Sequence, residues 1–194
     1  VTGASQGARS INQATTRFAA TIAARPGWQV LHLTGDAEFS EVQRDYEEAR
    51  LSAIVLAYTA DMPAAFAAAD LVVSRAGAST LAEISAAGVA SVLMPYPYDR
   101  GRHQDANAAC LASVGAACVV EDRREAAANA AALQPVLTQL LDDDVRRSRM
   151  AAAARAIGRP DAACEIASRL LAMAGREAMA GTPETLQATC GPGR

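Results

Sequence analysis

Residues 70–88 read DLVVSRAGASTLAEISAAG, and this stretch sets the fold class. An uninterrupted apolar run at 71–73 reads as a buried strand. A turn around Gly77 follows, and the helix TLAEISAAG (80–88) closes on a glycine. A strand that passes through a glycine turn straight into a helix is half of a βαβ unit. The chain opens on a second turn of this kind. In VTGASQGARSIN (1–12) a strand end meets Gly3 and Gly7 and then a helix, which aims backbone N–H groups and the positive helix end at a phosphate.

Outward from these two turns the pattern repeats. Ile11, Ala14, Phe18 and Ile22 recur at helical spacing until Pro26-Gly27 ends the run. WQVLHLTG (28–35) is a buried strand, 38–50 a charged amphipathic helix, SAIVLAY (52–58) a strand and 61–69 a short helix. ASVLMPYP (90–97) is a strand followed by a loop rich in Pro, Asp, Arg and Gly. HQDANAACLASVG (103–115) is a helix and AACVVE (116–121) a strand. Three alanine-rich helical stretches follow from about residue 130, the last beginning near Pro160. Apolar strands alternating with helices predict an α/β fold, a doubly wound, Rossmann-like parallel sheet covered on both faces. In such sheets ligands sit beyond the carboxyl ends of the strands, where GASQGA, YTADM, SRAGAST and YPYDRGRHQ all fall.

Composition narrows the chemistry. The chain has 194 residues, 51% hydrophobic and 20% charged, enough for one packed domain. All 18 basic residues are arginine, and the net charge of −3 with 4% aromatics offers neither a basic field nor stacking platforms for nucleic acid. Cys110, Cys118, Cys164 and Cys190 form no CxxC pair and read as buried thiols of a reducing compartment rather than disulfides or a zinc site. No window is long and apolar enough for a membrane span, since Asp61 and Asp70 interrupt the alanine-rich stretch, and no signal peptide opens the chain. Only Val1 and Thr2 represent a first strand that normally takes about five or six residues, so a truncated first strand, in a fragment or one half of a larger enzyme, is expected.

A glycine-rich first turn also suits a short-chain dehydrogenase or a P-loop. The dehydrogenase fingerprint wants a third glycine where Arg9 stands, and its Tyr-x-x-x-Lys pair needs a lysine, as does the P-loop. With no lysine in the chain, both are excluded. What remains is the phosphate turn paired with the Ser74–Glu83 motif.

GASQGARSIN (3–12), DLVVSRAGASTLAEISAAG (70–88) and MPYPYDRGRHQDANA (94–108), in this order and spacing, resemble the carboxyl-terminal domain of the MurG family. The resemblance covers residues 1–174, and the tail 175–194 is expected to be disordered. It implies the carboxyl-terminal half of a two-domain GT-B glycosyltransferase, inverting and metal-independent, with no cofactor. Such enzymes move N-acetylglucosamine from UDP-N-acetylglucosamine to a lipid-linked peptidoglycan precursor. The resemblance further implies a cytoplasmic location, peripheral at the inner face of the cell membrane, with acceptor contacts and the base on the other domain, so that this chain alone is inactive. Carried onto this sequence, Ser5, Gln6 and Gly7 meet the diphosphate, and Glu83 accepts hydrogen bonds from both ribose hydroxyls. Thr59 and Met62 lie along the uracil; Arg75, Gly77, Ala78 and Thr80 line the second turn; His103, Gln104 and Asn107 face the sugar and phosphates. Three positions depart from the family pattern: Ala4 for a glycine, Ala90 for a proline, and His103 where some members have glutamine. Two other readings fit the same motifs, a stand-alone nucleotide-sugar-binding subunit of a split glycosyltransferase and a UDP-N-acetylglucosamine 2-epimerase.

Each site residue also has a plainer reading. Thr80-Leu81-Ala82-Glu83 has the spacing of a capping box, in which Glu83 serves its own helix. Arg75 could be ion-paired, Gly77 a turn former, Ser5 an N-cap and His103 structural. His32, inside an apolar strand, reads as a packing residue, and Arg123-Arg124-Glu125 as a solvated surface.

Overall fold

The computed structural model describes residues 1–3 and 8–173. Five parallel strands form the sheet: β1 (Val30–Leu33), β2 (Ala53–Leu56), β3 (Leu71–Ser74), β4 (Ala90–Leu93) and β5 (Ala117–Val119). β1 pairs with β2, and β4 lies between β3 and β5, all in parallel. Thr2 bridges Leu33 on one side and Ser74 on the other, which joins the two groups in the order β2, β1, Thr2, β3, β4, β5. The expected doubly wound class is the observed one.

Helices connect the strands in alternation: α1 (Arg9–Thr16), α2 (Ala19–Ala23), α3 (Phe39–Glu48), α4 (Met62–Ala67), α5 (Ala78–Ala87), α6 (His103–Ser113), α7 (Ala126–Asp142) and α8 (Asp144–Ile157). The strand alternation divides the core into two layers. Val73, Val92 and Met94 pack with Ile11, Tyr46, Leu133 and Leu140, whereas Val72 and Leu93 pack with Phe66, Leu81, Ile84 and Leu111. β4, buried at all four positions, is the axis of both layers. Residues 1–158 make one compact unit; α9 (Ala162–Met173) belongs to a second, Arg159–Arg194. Cys190 and the expected disordered tail lie outside the described residues. Cys110 is exposed and Cys118 half-buried, both free, and Cys164 is disulfide-bonded, so the expectation of buried thiols does not hold for them.

Two helix boundaries differ from the sequence reading for local reasons. The helix expected over 11–22 breaks between α1 and α2, where Thr15 and Thr16 turn their hydroxyls onto the carbonyls of Ile11 and Gln13. The Phe18 N–H then closes a tighter turn on Thr15 O. α5 begins at Ala78 rather than Thr80, because Gly77 adopts extended backbone and its carbonyl accepts the first helical bond, from Leu81 N–H. Gly88 ends α5 with φ +68°, a left-handed cap that frees the chain to enter β4.

His32 does more than pack. It is fully buried, and both ring nitrogens are engaged, Nδ1 by Tyr46 Oη at 2.7 Å and Nε2 by Asn12 Oδ1 at 3.0 Å. The Asn12 amide nitrogen donates to Thr34 O and to Glu38, so Asn12 Oδ1 can only accept. Nε2 therefore carries the proton and Nδ1 accepts from tyrosine. This chain of bonds fastens the first turn of α1 to the end of β1.

Burial holds the His32 ring well below its ordinary value, with the nearby Val1 ammonium adding to the effect. The unfolded chain thus binds a proton that the folded chain refuses. Stability from this group is complete above pH 6.5 and declines as pH falls below it. His32 alone contributes a slope of up to about 1.4 kcal/mol per pH unit. Urea unfolding from pH 7.5 to 5.5 should show this decline, while the ring nitrogen resonances keep the neutral Nε2–H pattern; a ring that titrates in the folded protein contradicts the assignment.

Candidate functional site

The chain leaves Thr2 toward β1 and β2, then crosses through α4 to build β3, β4 and β5 in the other direction. The reversal point lies between Thr2 and β3, where open α/β sheets bind ligands. A cleft of about 660 Å³ opens there, lined by residues of the α1 first turn, the β3–α5 turn, the β4–α6 loop and the β5–α7 loop.

Arg75 sits at the centre of these connections. Its guanidinium donates to Asp122 Oδ2 at 2.8 Å, to the Met94 and Pro95 carbonyls at 3.0 and 3.2 Å, and to Ser10 Oγ at 2.7 Å. Ser10 in turn donates to Asp122 at 2.6 Å. The Asp122 side chain is 1% exposed and also accepts from Asn129 Nδ2 and from the Arg124 amide. Desolvation pushes the Asp122 carboxyl up, but the bonds from Ser10, Asn129, the Arg124 amide and Arg75 outweigh it and hold the group below the ordinary carboxylate value. Four chain segments thus converge on one buried ion pair.

Two side-chain amides complete the second turn. Gln104 Oε1 accepts from Ala76 N–H at 3.2 Å and Tyr96 N–H at 3.0 Å, while Asn107 Nδ2 donates to Ala76 O at 3.0 Å. Both polar groups of Ala76 are satisfied from α6, so the turn is held from outside the strand that carries it. The backbone partners also fix the amide orientations. They leave Gln104 Nε2 as a donor and Asn107 Oδ1 as an acceptor.

Of the residues singled out by the sequence, Arg75, Gly77, Thr80 and Gln104 line the cleft. Asn107 stands one helical turn beyond Gln104, and His103 is exposed at the start of α6. Ala78 opens α5, and Glu83 is exposed on its second turn. Because α5 starts at Ala78, Thr80 is the third helical residue and not an N-cap, so Glu83 is in no capping box. Among the described residues Glu83 has no hydrogen-bond or ion-pair partner. Thr59 accepts from the Asp61 amide ahead of α4, and Asp61 caps that helix. Met62 turns into a separate apolar cavity among α4, β1 and β3. Ser5, Gln6 and Gly7 lie outside the described residues.

Ser10, Asp122, Tyr96, Tyr98 and Arg124 line the cleft without having been singled out as site residues. Asp122 lies three residues past the end of β5, and its position beyond a strand's carboxyl end was the available signal. Arg123, Arg124 and Glu125 are exposed, as their reading as a solvated surface expects, and two of them also make local contacts. Arg124, with φ +65°, stacks 4.6 Å from the Tyr98 ring centre and donates to Pro97 O, and Glu125 caps α7 through the Ala127 and Ala128 amides. Among the described residues no cluster of His, Cys, Asp and Glu could hold a metal ion.

A sequence model of the glycosyltransferase family 28 C-terminal domain matches residues 1–166. A Xanthomonas campestris protein named "UDP-N-acetylglucosamine--N-acetylmuramyl-(pentapeptide) pyrophosphoryl-undecaprenol N-acetylglucosamine transferase" is 45% identical over 175 residues, covering 90% of this chain and 40% of its own length. A protein of the same name from Desulfitobacterium hafniense is 42% identical over 167 residues, with 84% and 44% covered. The crystal structure of Acinetobacter baumannii MurG matches with TM-score 0.74 and 30% identity, over 87% of this chain and 49% of that one. Spinosyn forosaminyltransferase SpnP, at TM-score 0.55 and 20% identity over 85% of this chain and 39% of its own, shares the fold. This chain spans less than half the length of these relatives.

Removing one member of the buried pair strands the other. Asp122→Leu leaves the Arg75 charge desolvated and should cost about 3–5 kcal/mol, whereas Arg75→Met combined with Asp122→Leu should cost clearly less than the two single changes added. The depressed Asp122 carboxyl stabilises the fold above pH 3.8, and this part is lost as pH falls through its lower folded value. Urea unfolding of the three variants tests the coupling; additive losses contradict it.

Proposed function

The chain belongs to the glycosyltransferase family 28 C-terminal domains, and on that premise we propose that it is the donor-binding half of an N-acetylglucosaminyltransferase acting on a lipid-linked peptidoglycan precursor. The donor is UDP-N-acetylglucosamine. The acceptor and the base that deprotonates it belong to a second domain, so this chain binds donor without turning it over. The complete enzyme works in the cytoplasm at the inner face of the membrane. No helix among the described residues is long and apolar enough to cross it.

The observation that carries this reading is Glu83, an exposed carboxylate with no partner among the described residues, one helical turn along α5 from Thr80, which lines the cleft. Two acceptor oxygens match a ribose diol, which presents two donors. The diphosphate then lies over the cleft between the first turns of α1 and α5, where N–H groups at two helix starts face it. Ser5, Gln6 and Gly7, which precede α1 in the sequence, meet the diphosphate, and Gly77, Ala78 and Thr80 form the start of α5. Thr59 borders the uracil, and Met62, three residues on, opens α4 with its side chain in the separate apolar cavity. His103, Gln104 and Asn107 face the sugar, with Gln104 giving a donor and Asn107 an acceptor.

Charge builds on the departing diphosphate as the bond to the anomeric carbon breaks. Fixed N–H dipoles stabilise that charge without reorganising. Arg75 acts from behind, since its donors are spent on Asp122, Ser10 and two carbonyls, and it positions the turn. The acceptor oxygen attacks the opposite face of the sugar, which inverts the anomeric centre.

Glu83→Gln separates this role from a structural one. The side chain is exposed and unpartnered, so the thermal midpoint should not move. Hydrogen bonds to a charged group contribute about 1.5–3 kcal/mol, so UDP affinity should drop roughly ten- to a hundredfold. The variant should also discriminate less between UDP and 2′-deoxy-UDP. Titration calorimetry with both ligands decides it: unchanged UDP affinity in a folded variant overturns the ribose assignment.

A further inference from the structure

Among the described residues three arginines line the cleft, and they differ in what holds their charge. Arg75 is buried against Asp122, and Arg9 lies 3.4 Å from the Glu38 carboxylate. Arg124 has no carboxylate partner among the described residues. Its guanidinium lies 4.6 Å from the centre of the Tyr98 ring, and Nη2 donates to Pro97 O at 3.0 Å. Nε and Nη1 have no partner among the described residues. A planar cation stacked on one face and tied at one corner keeps its remaining N–H donors for a ligand.

The backbone fixes where this cation stands. Arg124 N–H donates to Asp122 Oδ1 at 2.8 Å, on the carboxylate whose other oxygen takes Ser10 and Arg75. The residue is thus tied to the same buried pair as the first turn of α1 and the β3–α5 turn. Its φ of +65° is left-handed, and among the described residues only three that are not glycine share this. A side chain with a Cβ is disfavoured there, so glycine fits the turn with less strain. The stacked pair fills no core either, since Tyr98 is 59% exposed and Arg124 is exposed with it. Strain held at an exposed position without a packing return is the pattern of a binding site.

We propose that Arg124, laid on Tyr98, is the seat for the distal phosphate of a nucleoside diphosphate, and that it prefers a free terminal phosphate to one esterified to sugar. This inference rests on the donor reading above, which puts the diphosphate over this cleft, and adds to it a side chain that reads the phosphate's charge. As the bond from the anomeric carbon to the distal phosphate oxygen breaks, its electron pair stays on that oxygen. The acceptor oxygen bonds to the carbon, and its proton passes to the base of the second domain. The phosphate gains one negative charge in this step, so its attraction to the guanidinium grows as the bond breaks. Tyr98 is a positioning residue, because it keeps the guanidinium flat at the cleft wall.

Titration calorimetry of the 194-residue chain, Arg124→Met and Arg124→Gly with UDP, UDP-N-acetylglucosamine and UMP tests the proposal. Arg124→Gly suits the left-handed backbone and guards against a variant that does not fold. Both variants should lose about tenfold or more in UDP affinity, clearly less for UDP-N-acetylglucosamine, and less than about twofold for UMP, which has no distal phosphate. A purely structural role weakens all three ligands alike, and that result overturns the proposal. Unchanged UDP affinity, the outcome if the guanidinium serves a phosphate of the acceptor instead, overturns it too and leaves the donor reading standing. Failure of the parent chain to bind UDP removes the donor reading and this inference with it.

Discussion

The buried pair between Arg75 and Asp122 is the contact on which the site depends. A guanidinium and a carboxylate taken out of water are tolerable only when their remaining donors and acceptors are satisfied. Here they are, and each satisfaction brings in another connection of the sheet: Ser10 from the first turn of α1, the Met94 and Pro95 carbonyls from the end of β4, and Asn129 from α7. The loops at the carboxyl edge are therefore not independent. Their relative positions are set by one desolvated charge pair that admits little slack.

Around that pair the fold supplies binding groups with little side-chain chemistry. Two helix starts stand at the reversal point of the sheet, and of the arginines that line the cleft Arg75 is held by Asp122, while Arg124 stacks on Tyr98. Gln104 and Asn107 illustrate the economy. One half of each amide fixes the Ala76 turn, and the half left over has a definite polarity. The buried Tyr46–His32–Asn12 chain does for the other side of α1 what Asp122 does for this one, so that helix is fastened at both flanks of its first turn.

Much of this was legible in the sequence, and the limits have physical causes. The central strands announced themselves as apolar runs because both of their faces are covered, β4 most plainly, whereas β2 at the sheet edge leaves Ile54 and Leu56 exposed on one face, so the expected coverage of both faces does not hold there. The start of α5 was misplaced by two residues, since Thr80-Leu81-Ala82-Glu83 has the spacing of a capping box and spacing does not show that Gly77 already caps the helix. That local ambiguity mattered, because it decides what Glu83 is free to do. Asp122 and Ser10 escaped notice for a different reason: each meets Arg75 only through the folded sheet, from 47 and 65 positions away in the sequence. Arg124 and Glu125 are surface charges, as read, but their stacking on Tyr98 and capping of α7 leave no periodic signature in the sequence.

The central claim is that this edge of the sheet is a uridine diphosphate site assembled by four loops on one ion pair. Amide chemical-shift mapping during titration with UDP tests it most directly. The account predicts that the shifted amides cluster at Thr59, Gly77, Thr80, Glu83, Gln104 and Asn107, that ADP at the same concentration moves the base-facing Thr59 amide far less, and that Asp122→Leu disperses the pattern. Shifts confined to the opposite edge of the sheet, or an identical map for UDP and ADP, would contradict it.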